Sequence, residues 1–233
     1  MQWSHPGVQG DIPPPCRAHT ATLVDRKIVI FGGGEGPVYY DTVYVLDTIY
    51  RRWQKVELPE NAERPTTRRA HTAVYYDGKI WVFGGGNGSQ ALNDVWTLTV
   101  NCPIEKMSWS KVEIRGSKQP GARGYHTANL VGNIMIVVGG SDGRECFSDI
   151  WCMNLGKIQP IASENIFGLT FIQDTLRWDQ VRLETAHRRL AHSVTQVGSY
   201  LFIIGGHDGN SYSSDILFFN LGEQHPHGLR SEH

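Results

Sequence analysis

The sequence predicts an all-β protein that is built from four copies of one repeat. In each copy a histidine precedes a pair of glycines by the same interval, and an apolar run of strand length ends at every glycine pair. Constant spacing at a period of about 50 residues is typical of repeat architectures. The histidines and glycine pairs are His19 with Gly32 and Gly33, His71 with Gly84 and Gly85, His126 with Gly139 and Gly140, and His192 with Gly205 and Gly206.

The first two strands of each copy are predicted from residue type and length. In the first copy, residues 19–24 are rich in β-branched side chains, which favour strands. Asp25 and Arg26 then form a tight turn. Residues 28–31 are continuously apolar, which indicates a strand that is buried on both faces. The glycine pair ends this strand, because glycine adopts positive φ and lets another backbone approach closely.

The third and fourth strands are predicted from positions that recur in register. The third strand begins at a constant interval after the second glycine, at Val43, Val95, Ile150 and Ile216. An aspartate precedes it in three copies, whereas the first copy has Thr42. We expect these aspartates to accept backbone N–H groups at the start of the strand, as turn residues do. The aspartates are Asp94, Asp149 and Asp215, and the tryptophans that mark the fourth strand are Trp53, Trp109 and Trp178.

Trp3 is predicted to belong to the same series of tryptophans. The interval from Trp3 to His19 is nearly the same as the interval from Trp53 to His71. We therefore predict a strand around Trp3 that completes the fourth copy. The predicted domain covers residues 1–222, with repeats at about 17–58, 69–114, 123–183 and 189–221, an insert at 156–173, and a disordered tail at 223–233.

The insert and the tail leave the repeat pattern at the same point, after Asn154-Leu155-Gly156 and after Asn220-Leu221-Gly222. Glycine followed by lysine or glutamate can be encoded by codons that contain a 5′ splice site. One hypothesis is that two introns were read through in the gene; the alternative is an ordinary surface loop and a frayed terminus. Sequencing the mature transcript distinguishes them.

Charge and composition exclude several classes of protein. The 22 basic and 23 acidic residues give a net charge of −1, so no global field recruits nucleic acid or an anionic membrane. No apolar run approaches the ~20 residues of a membrane span, and residues 1–16 lack the apolar segment of a signal peptide. We expect a protein of the cytoplasm or the nucleus. Its four cysteines, which show no metal-binding spacing, are expected to be reduced thiols.

A repeat of this length, with four short strands, a glycine pair after the second and a tryptophan on the fourth, resembles the Kelch motif. The resemblance extends from Trp3 to Asn220. It implies a Kelch-type β-propeller with four four-stranded antiparallel blades around a central channel. Kelch propellers usually have more blades than four, so we expect an incomplete, open propeller, as in a truncated Kelch protein of the fungal type. A closed ring of four blades is the alternative.

The repeated histidines could suggest a metal site, but they occupy equivalent points on different blades and each follows an arginine closely. We therefore expect His19, His71, His126 and His192 to be structural, like the glycine pairs and the tryptophans, and we expect no metal and no cofactor. Galactose-oxidase-like propeller enzymes are an alternative, but Cys16, Cys102, Cys146 and Cys152 lack the Tyr/Cys/His arrangement that such copper sites need. We expect no catalysis.

The loops that follow the second strand and the segments that join the blades are expected to emerge on one face. Arginines and tyrosines there are suited to an acidic or phosphorylated protein or peptide ligand. The alternative is that the arginines are solvated and structurally paired. The resemblance implies a scaffold for protein–protein interactions, in cell polarity, the cytoskeleton or an adaptor; a non-functional truncated product is a further alternative. The candidate partner-binding residues are Arg17, Arg68, Arg69, Arg123, Arg144, Arg188, Arg189, Tyr39, Tyr40 and Tyr212.

Overall fold

The computed structural model describes residues 1–156 and 176–222, and within these ranges the chain is all-β apart from a 3-10 turn at Ile104–Lys106. The predicted tail and almost all of the predicted insert lie outside the described residues. The strands in chain order are β1 (Gln9–Gly10), β2 (Thr20–Val24), β3 (Lys27–Phe31), β4 (Gly34–Glu35), β5 (Val38–Tyr39), β6 (Val43–Asp47), β7 (Arg52–Lys55), β8 (Thr72–Tyr76), β9 (Lys79–Gly86), β10 (Ala91–Thr99), β11 (Ser108–Lys111), β12 (Thr127–Val131), β13 (Ile134–Val138), β14 (Ile150–Asn154), β15 (Trp178–Gln180), β16 (Ser193–Val197), β17 (Tyr200–Ile204) and β18 (Ile216–Asn220).

Apart from β1 and the separate two-stranded sheet of β4 and β5, these strands form four antiparallel sheets, here called blades 1 to 4. Blade 1 is built from β2, β3, β6 and β7, blade 2 from β8 to β11, blade 3 from β12 to β15, and blade 4 from β16 to β18. The first strands of neighbouring blades contact one another, β2 with β8, β8 with β12, and β12 with β16. The first strands therefore line the centre. The all-β, four-blade prediction is confirmed; among the described residues, blade 4 has three strands.

The glycine pair is required where a blade meets the next one. Gly84 and Gly85 follow the apolar part of β9 with φ of 63° and 97°, which side chains with a Cβ rarely adopt. A Cβ on Gly84 would lie 2.7 Å from the carbonyl oxygen of Arg123, which belongs to the next blade. The pair thus lets neighbouring backbones approach closely.

The hydrophobic core lies between the blades. At the first junction Phe31 and Val43 of blade 1 pack in the same apolar cluster as Val82 and Leu98 of blade 2. Each of these side chains is at most 2% exposed. Two further clusters fill the second and third junctions in the same way. Stability therefore depends on stacking one blade against the next, as expected for a repeat protein.

The fourth-strand tryptophans contribute to these junctions. Trp109 packs against Phe31 of the preceding blade with ring centroids 4.6 Å apart, and Trp178 packs against Phe83 at 5.0 Å. Trp178 is completely buried. The repeated tryptophan is thus a contact between blades.

The predicted strand around Trp3 is wrong. Trp3 is fully exposed and lies outside the strands. Instead, β1 pairs in parallel with β7 at the outer edge of blade 1. This pairing satisfies backbone groups that an open sheet edge leaves free, since Gln9 donates to the Arg51 carbonyl at 3.0 Å. Blade 4 receives no described fourth strand from the N-terminus.

The arc of blades is open. Ile216 and Phe218 on the outer face of blade 4 are 53% and 63% exposed, so no described part of blade 1 covers them. The expected open propeller is confirmed. In the part of the chain that the structure describes, no helix has the length and apolar character needed to cross a membrane.

Candidate protein-binding face

The loops after the second strand and the segments before the first strand meet on one side of each blade. Their pairing repeats: Arg17 N–H donates to Gly34 O at 2.9 Å, and Arg69 N–H donates to Gly86 O at 3.0 Å. Gly124 and Leu190 make the equivalent bonds in blades 3 and 4. We call this side the loop face. It comprises residues 34–40, 86–91, 141–147 and 207–213 together with 17–19, 69–71, 124–126 and 190–192.

Three of these loops are held by a side chain that accepts two backbone N–H groups. Asp142 accepts from Arg144 at 2.8 Å and from Glu145 at 2.7 Å. Asn87 and Asp208 do the same in blades 2 and 4. These backbone hydrogen bonds lower the pKa of the Asp142 and Asp208 carboxyls, which therefore stay ionised at neutral pH. The loop face consequently has fixed loops and negative as well as positive charges.

A shallow depression lies where the loops of blades 1, 2 and 3 converge. The Arg69 guanidinium lies over the Tyr39 ring at 4.4 Å from its centroid and donates to Gly36 O at 3.3 Å. Tyr39 in turn lies against Gly88, where a Cβ would be 3.1 Å from the ring. The depression has a volume of about 270 Å³. Its other polar lining includes Gln90, Tyr125, Ser141 and Asp142.

Arg69 carries a charge that no carboxylate of residues 1–156 or 176–222 neutralises. Among the described residues it makes its hydrogen bond to a backbone carbonyl, and no carboxylate forms an ion pair with it. Its guanidinium is held in place by the Tyr39 ring, so little further ordering is required before it binds an anion. Arg69 and Tyr39 are thus the two predicted residues that the structure brings together.

Three predicted binding arginines are removed from the candidate face. Arg68 and Arg123 are completely buried, and Arg189 is 8% exposed. Each guanidinium instead pairs with an aspartate of its own blade, which lies within the third strand in blade 2 and directly before it in blades 3 and 4. The shortest N–O distances are 2.8 Å from Arg68 to Asp94, 2.6 Å from Arg123 to Asp149 and 2.8 Å from Arg189 to Asp215. These arginines are structural. The aspartates, which were expected to accept backbone N–H groups at the start of the strand, bind these arginine side chains.

Two of these pairs, in blades 2 and 3, have bidentate geometry and a further donor to the carboxylate, whereas Arg189 makes one hydrogen bond to Asp215. Both oxygens of Asp94 accept from Arg68, and Trp96 Nε1 donates to the same carboxylate at 2.7 Å. Burial raises the pKa of the Asp94 carboxyl, but the hydrogen bonds and positive charge of Arg68 outweigh burial, so this pKa is lowered from its ordinary value. Asp149 has the same environment from Arg123 and Trp151.

The sequence contains the signal for these pairs. In blades 2, 3 and 4 the arginine three residues before the histidine is followed by the aspartate 26 residues later. The first copy lacks both partners and has Cys16 and Thr42 instead. Arg68 and Arg69 both lie close to His71, so nearness to the histidine alone does not separate the buried position from the exposed one. Alignment by distance from the histidine separates the buried arginines from the exposed ones.

Three of the four repeated histidines connect neighbouring blades, whereas His19 is exposed and its Nδ1 lies 3.3 Å from Cys16 Sγ. His71 Nε2 lies 3.0 Å from Thr20 Oγ1 of the preceding blade, and His126 and His192 make the same contact with Thr72 and Thr127. Burial, followed by the charge of Arg68, lowers the pKa of His71 to about 3. The imidazole is therefore neutral at physiological pH. Within residues 1–156 and 176–222 no three His, Cys, Asp or Glu side chains are grouped as metal ligands.

The other predicted residues lie on the loop face, except Arg188, which is two residues before its blade 4 segment. Arg17, Arg144 and Arg188 are exposed, and Tyr40 is half-buried. Tyr212 is 90% exposed, and its ring stacks edge-on against His207 at 4.8 Å. None of these lines the depression next to Arg69.

Tyr125 is a lining residue that the sequence reasoning did not single out as a candidate. It precedes His126 at a position that is alanine in the other copies, and all four residues have positive φ. A bulky side chain at φ of 58° is uncommon, and such positions often have functional roles. Tyr125 is 47% exposed. The sequence signal for Tyr125 is that a tyrosine stands where the other three copies have alanine.

Comparison with known proteins agrees with this architecture. The family model described as "KLHDC2/KLHL20/DRC7 Kelch-repeats domain" matches residues 1–159, and the "Kelch motif" model matches residues 188–224. The chain is 30% identical over 165 residues to the "Dynein alpha chain, flagellar outer arm" of Chlamydomonas reinhardtii, and the match covers 66% of this chain and 4% of that protein.

Two other relatives match more of the chain. "Leucine-zipper-like transcriptional regulator 1 homolog" of Drosophila melanogaster is 23% identical over 95% of this chain, and "Host cell factor 1" of Homo sapiens is 26% identical over 88%. The chain spans 22% and 10% of the lengths of these two proteins. The similarity therefore concerns one region of much longer relatives.

Proposed function

Because the chain belongs to the family of Kelch-repeat proteins, we propose that it is a protein–protein interaction scaffold that binds a partner segment on its loop face. We place the centre of the binding site at the depression beside Arg69. Binding rather than catalysis is the proposed activity.

The observation that supports this site most directly is the Arg69–Tyr39 pair. A guanidinium stacked on a ring 4.4 Å away, without an ion-pair partner in the described chain, can form a bidentate bond to an incoming carboxylate or phosphate. Tyr39 and Tyr125 add aromatic area, which often dominates the energetics of interfaces. We therefore propose that the ligand is a peptide segment with an acidic or phosphorylated side chain.

Charge also limits the ligand. Asp142 lines the same depression and is ionised, so an acidic group is favoured at the Arg69 end and disfavoured near Asp142. A peptide with a single anionic side chain fits this arrangement better than a run of acidic residues.

The cellular role is proposed at a coarser level. Roles in cell polarity, the cytoskeleton or an adaptor complex, in the cytoplasm or nucleus, agree with a scaffold of this family. One relative is a dynein chain of the flagellar outer arm by name, which favours cytoskeletal assemblies among these settings.

A peptide-display selection on the purified chain tests the binding site. We expect selected peptides to share one acidic residue, and we expect Arg69→Ala to weaken their binding at least about tenfold, since a charge-assisted bidentate bond contributes about 1.5–3 kcal/mol. Arg26→Ala is the matched control, because Arg26 lies in the turn between β2 and β3, at the opposite end of the strand from the loop face.

Two results would contradict the proposed site. One is peptides that bind Arg69→Ala as tightly as the unaltered chain. The other is an equal loss for Arg26→Ala, which would indicate a nonspecific charge effect.

A further inference from the structure

Each junction between neighbouring blades contains the same set of four hydrogen bonds. In two of them, backbone groups of one blade's glycine pair and loop bond to the backbone of the residue three before the histidine of the next blade. A third joins the backbones of the residues that directly precede the two histidines. The fourth joins a threonine side chain of one blade to the histidine ring of the next. At the first junction they are Gly33 N to Arg68 O (2.8 Å), Arg68 N to Tyr40 O (3.0 Å), Ala70 N to Ala18 O (2.8 Å) and Thr20 Oγ1 with His71 Nε2 (3.0 Å).

The other two junctions repeat the set without change. At the second junction the bonds are Gly85 N to Arg123 O (2.8 Å), Arg123 N to Leu92 O (2.9 Å), Tyr125 N to Ala70 O (3.0 Å) and Thr72 Oγ1 with His126 Nε2 (2.9 Å). At the third they are Gly140 N to Arg189 O (2.8 Å), Arg189 N to Phe147 O (3.2 Å), Ala191 N to Tyr125 O (2.8 Å) and Thr127 Oγ1 with His192 Nε2 (3.0 Å).

At each end of the arc, one side of this set of hydrogen bonds is present without its partners. On blade 4 the equivalent groups are Gly206 N–H, Ser213 C=O, Ala191 C=O and the Ser193 hydroxyl. On blade 1 they are Cys16 C=O, Cys16 N–H, Ala18 N–H and His19 Nε2. None of these eight groups bonds to a described residue. Every donor at one end therefore has its acceptor at the other.

The apolar surfaces at the ends are complementary in the same way. On blade 4, Ile204, Ile216 and Phe218 are 46%, 53% and 63% exposed. Their register equivalents on blade 3, among them Val138 and Ile150, are buried in the third junction. The blade 4 end is thus an unpaired junction face.

Blade 1 carries the opposite face. Ile28, Ile30, Tyr44 and Leu46 are half-buried there. Their equivalents on blade 2 are Ile80, Val82, Trp96 and Leu98, which are at most 7% exposed. Both ends therefore present apolar rows that are covered at every internal junction.

We propose that a second copy of this chain covers both ends, with blade 4 of each copy stacked on blade 1 of the other. The two identical junctions would close an eight-bladed ring with a two-fold axis along its channel. Eight is within the range of blade numbers that propellers adopt. Head-to-tail interfaces give a closed ring when the rotation between copies closes. The evidence for a second copy is that one chain bears both halves of the same junction.

Sedimentation velocity on the full 233-residue chain tests the dimer. The expected species has twice the 26.1 kDa mass of one chain. Phe218→Glu places a charge in the junction and is expected to give monomers, with at least about a hundredfold weaker association. Ile49→Glu is the matched control: Ile49 is 63% exposed, like Phe218, but lies in the turn after β6, and the dimer should persist.

Mixing two variants distinguishes head-to-tail from symmetric face-to-face pairing. Ile30→Glu alters the blade 1 end and is also expected to be monomeric. A mixture of Phe218→Glu and Ile30→Glu chains retains one intact junction and should form a heterodimer. Circular dichroism on each variant checks that the fold is kept, and His19→Ala provides a second blade 1 variant if Ile30→Glu is unfolded.

Several outcomes would overturn the proposal. A monomeric unaltered chain would mean that a second copy does not bind the ends. Concentration-dependent polymers, or aggregates that Phe218→Glu leaves unchanged, would contradict ring closure. A mixture of the two variants that remains monomeric would contradict the head-to-tail arrangement.

Discussion

At the scale of single residues, neighbouring arginines in the repeat have two different chemistries. The arginine three residues before the histidine is buried and neutralised by an aspartate of its own blade. The arginine one position later, Arg69, lies on the loop face with its charge available. One step along the chain therefore separates a structural arginine from a binding arginine.

Replacing Arg123 with alanine should destabilise the protein by about 3 kcal/mol, because Asp149 would remain as a largely buried carboxylate without its partner. Urea denaturation measures the effect. Arg144→Ala, at an exposed position on the same blade, is the control and should change stability by less than about 0.5 kcal/mol. A loss at Arg123 as small as that of the control would show that the pair is unimportant to the fold.

The exposed and buried arginines could not be separated by residue type alone. The sequence placed Arg17, Arg69, Arg144 and Arg188 among the face residues, and the structure leaves their guanidinium groups unpaired with carboxylates among the described residues. It also grouped Arg68 with them. The difference depends on an aspartate far along the chain, Asp94, which only alignment of the copies in register could reveal.

At the scale of strands and blades, the fourth-strand tryptophan is a contact to the preceding blade. Trp178 is completely buried against Phe83, whereas Trp3 has no such neighbour and is fully exposed. The sequence spacing treated both as members of one series. Spacing predicts the role of Trp178 correctly because blade 2 precedes it and buries it. It fails for Trp3 because the N-terminal segment pairs instead with the open edge of β7.

Trp178→Ala should reduce the free energy of unfolding by about 3–5 kcal/mol, since it removes a large side chain from a packed junction. Trp3→Ala, at an exposed position, should change it by less than about 0.5 kcal/mol. Thermal or chemical denaturation of the two variants provides the comparison. Equal losses would contradict the placement of Trp3 outside the blades.

The strands themselves were largely predictable. Residues 28–31 and 19–24 of the first copy correspond closely to β3 and β2, because a continuous apolar run and β-branched residues determine local structure. The contacts between blades were not predictable from local pattern. The threonine that meets His71, for example, is 51 residues away in sequence.

At the scale of the whole molecule, the described residues form an open arc of four blades whose loops lie on one face. The loops of blades 1, 2 and 3 converge on the depression beside Arg69, so a partner segment would contact three blades at once. The groups at the two blade ends that are proposed to bind a second copy are not among the residues that line this depression. Peptide binding and pairing of two copies can therefore be measured separately.

Hydrogen–deuterium exchange on the chain, with and without a peptide from the display selection, tests the central claim of binding on the loop face most directly. We expect slower exchange in residues 34–40, 86–91 and 124–126, which surround Arg69, and unchanged exchange in the turns at 25–26 and 77–78 on the opposite side. Protection confined to those turns, or to the exposed face of β18, would contradict binding on the loop face.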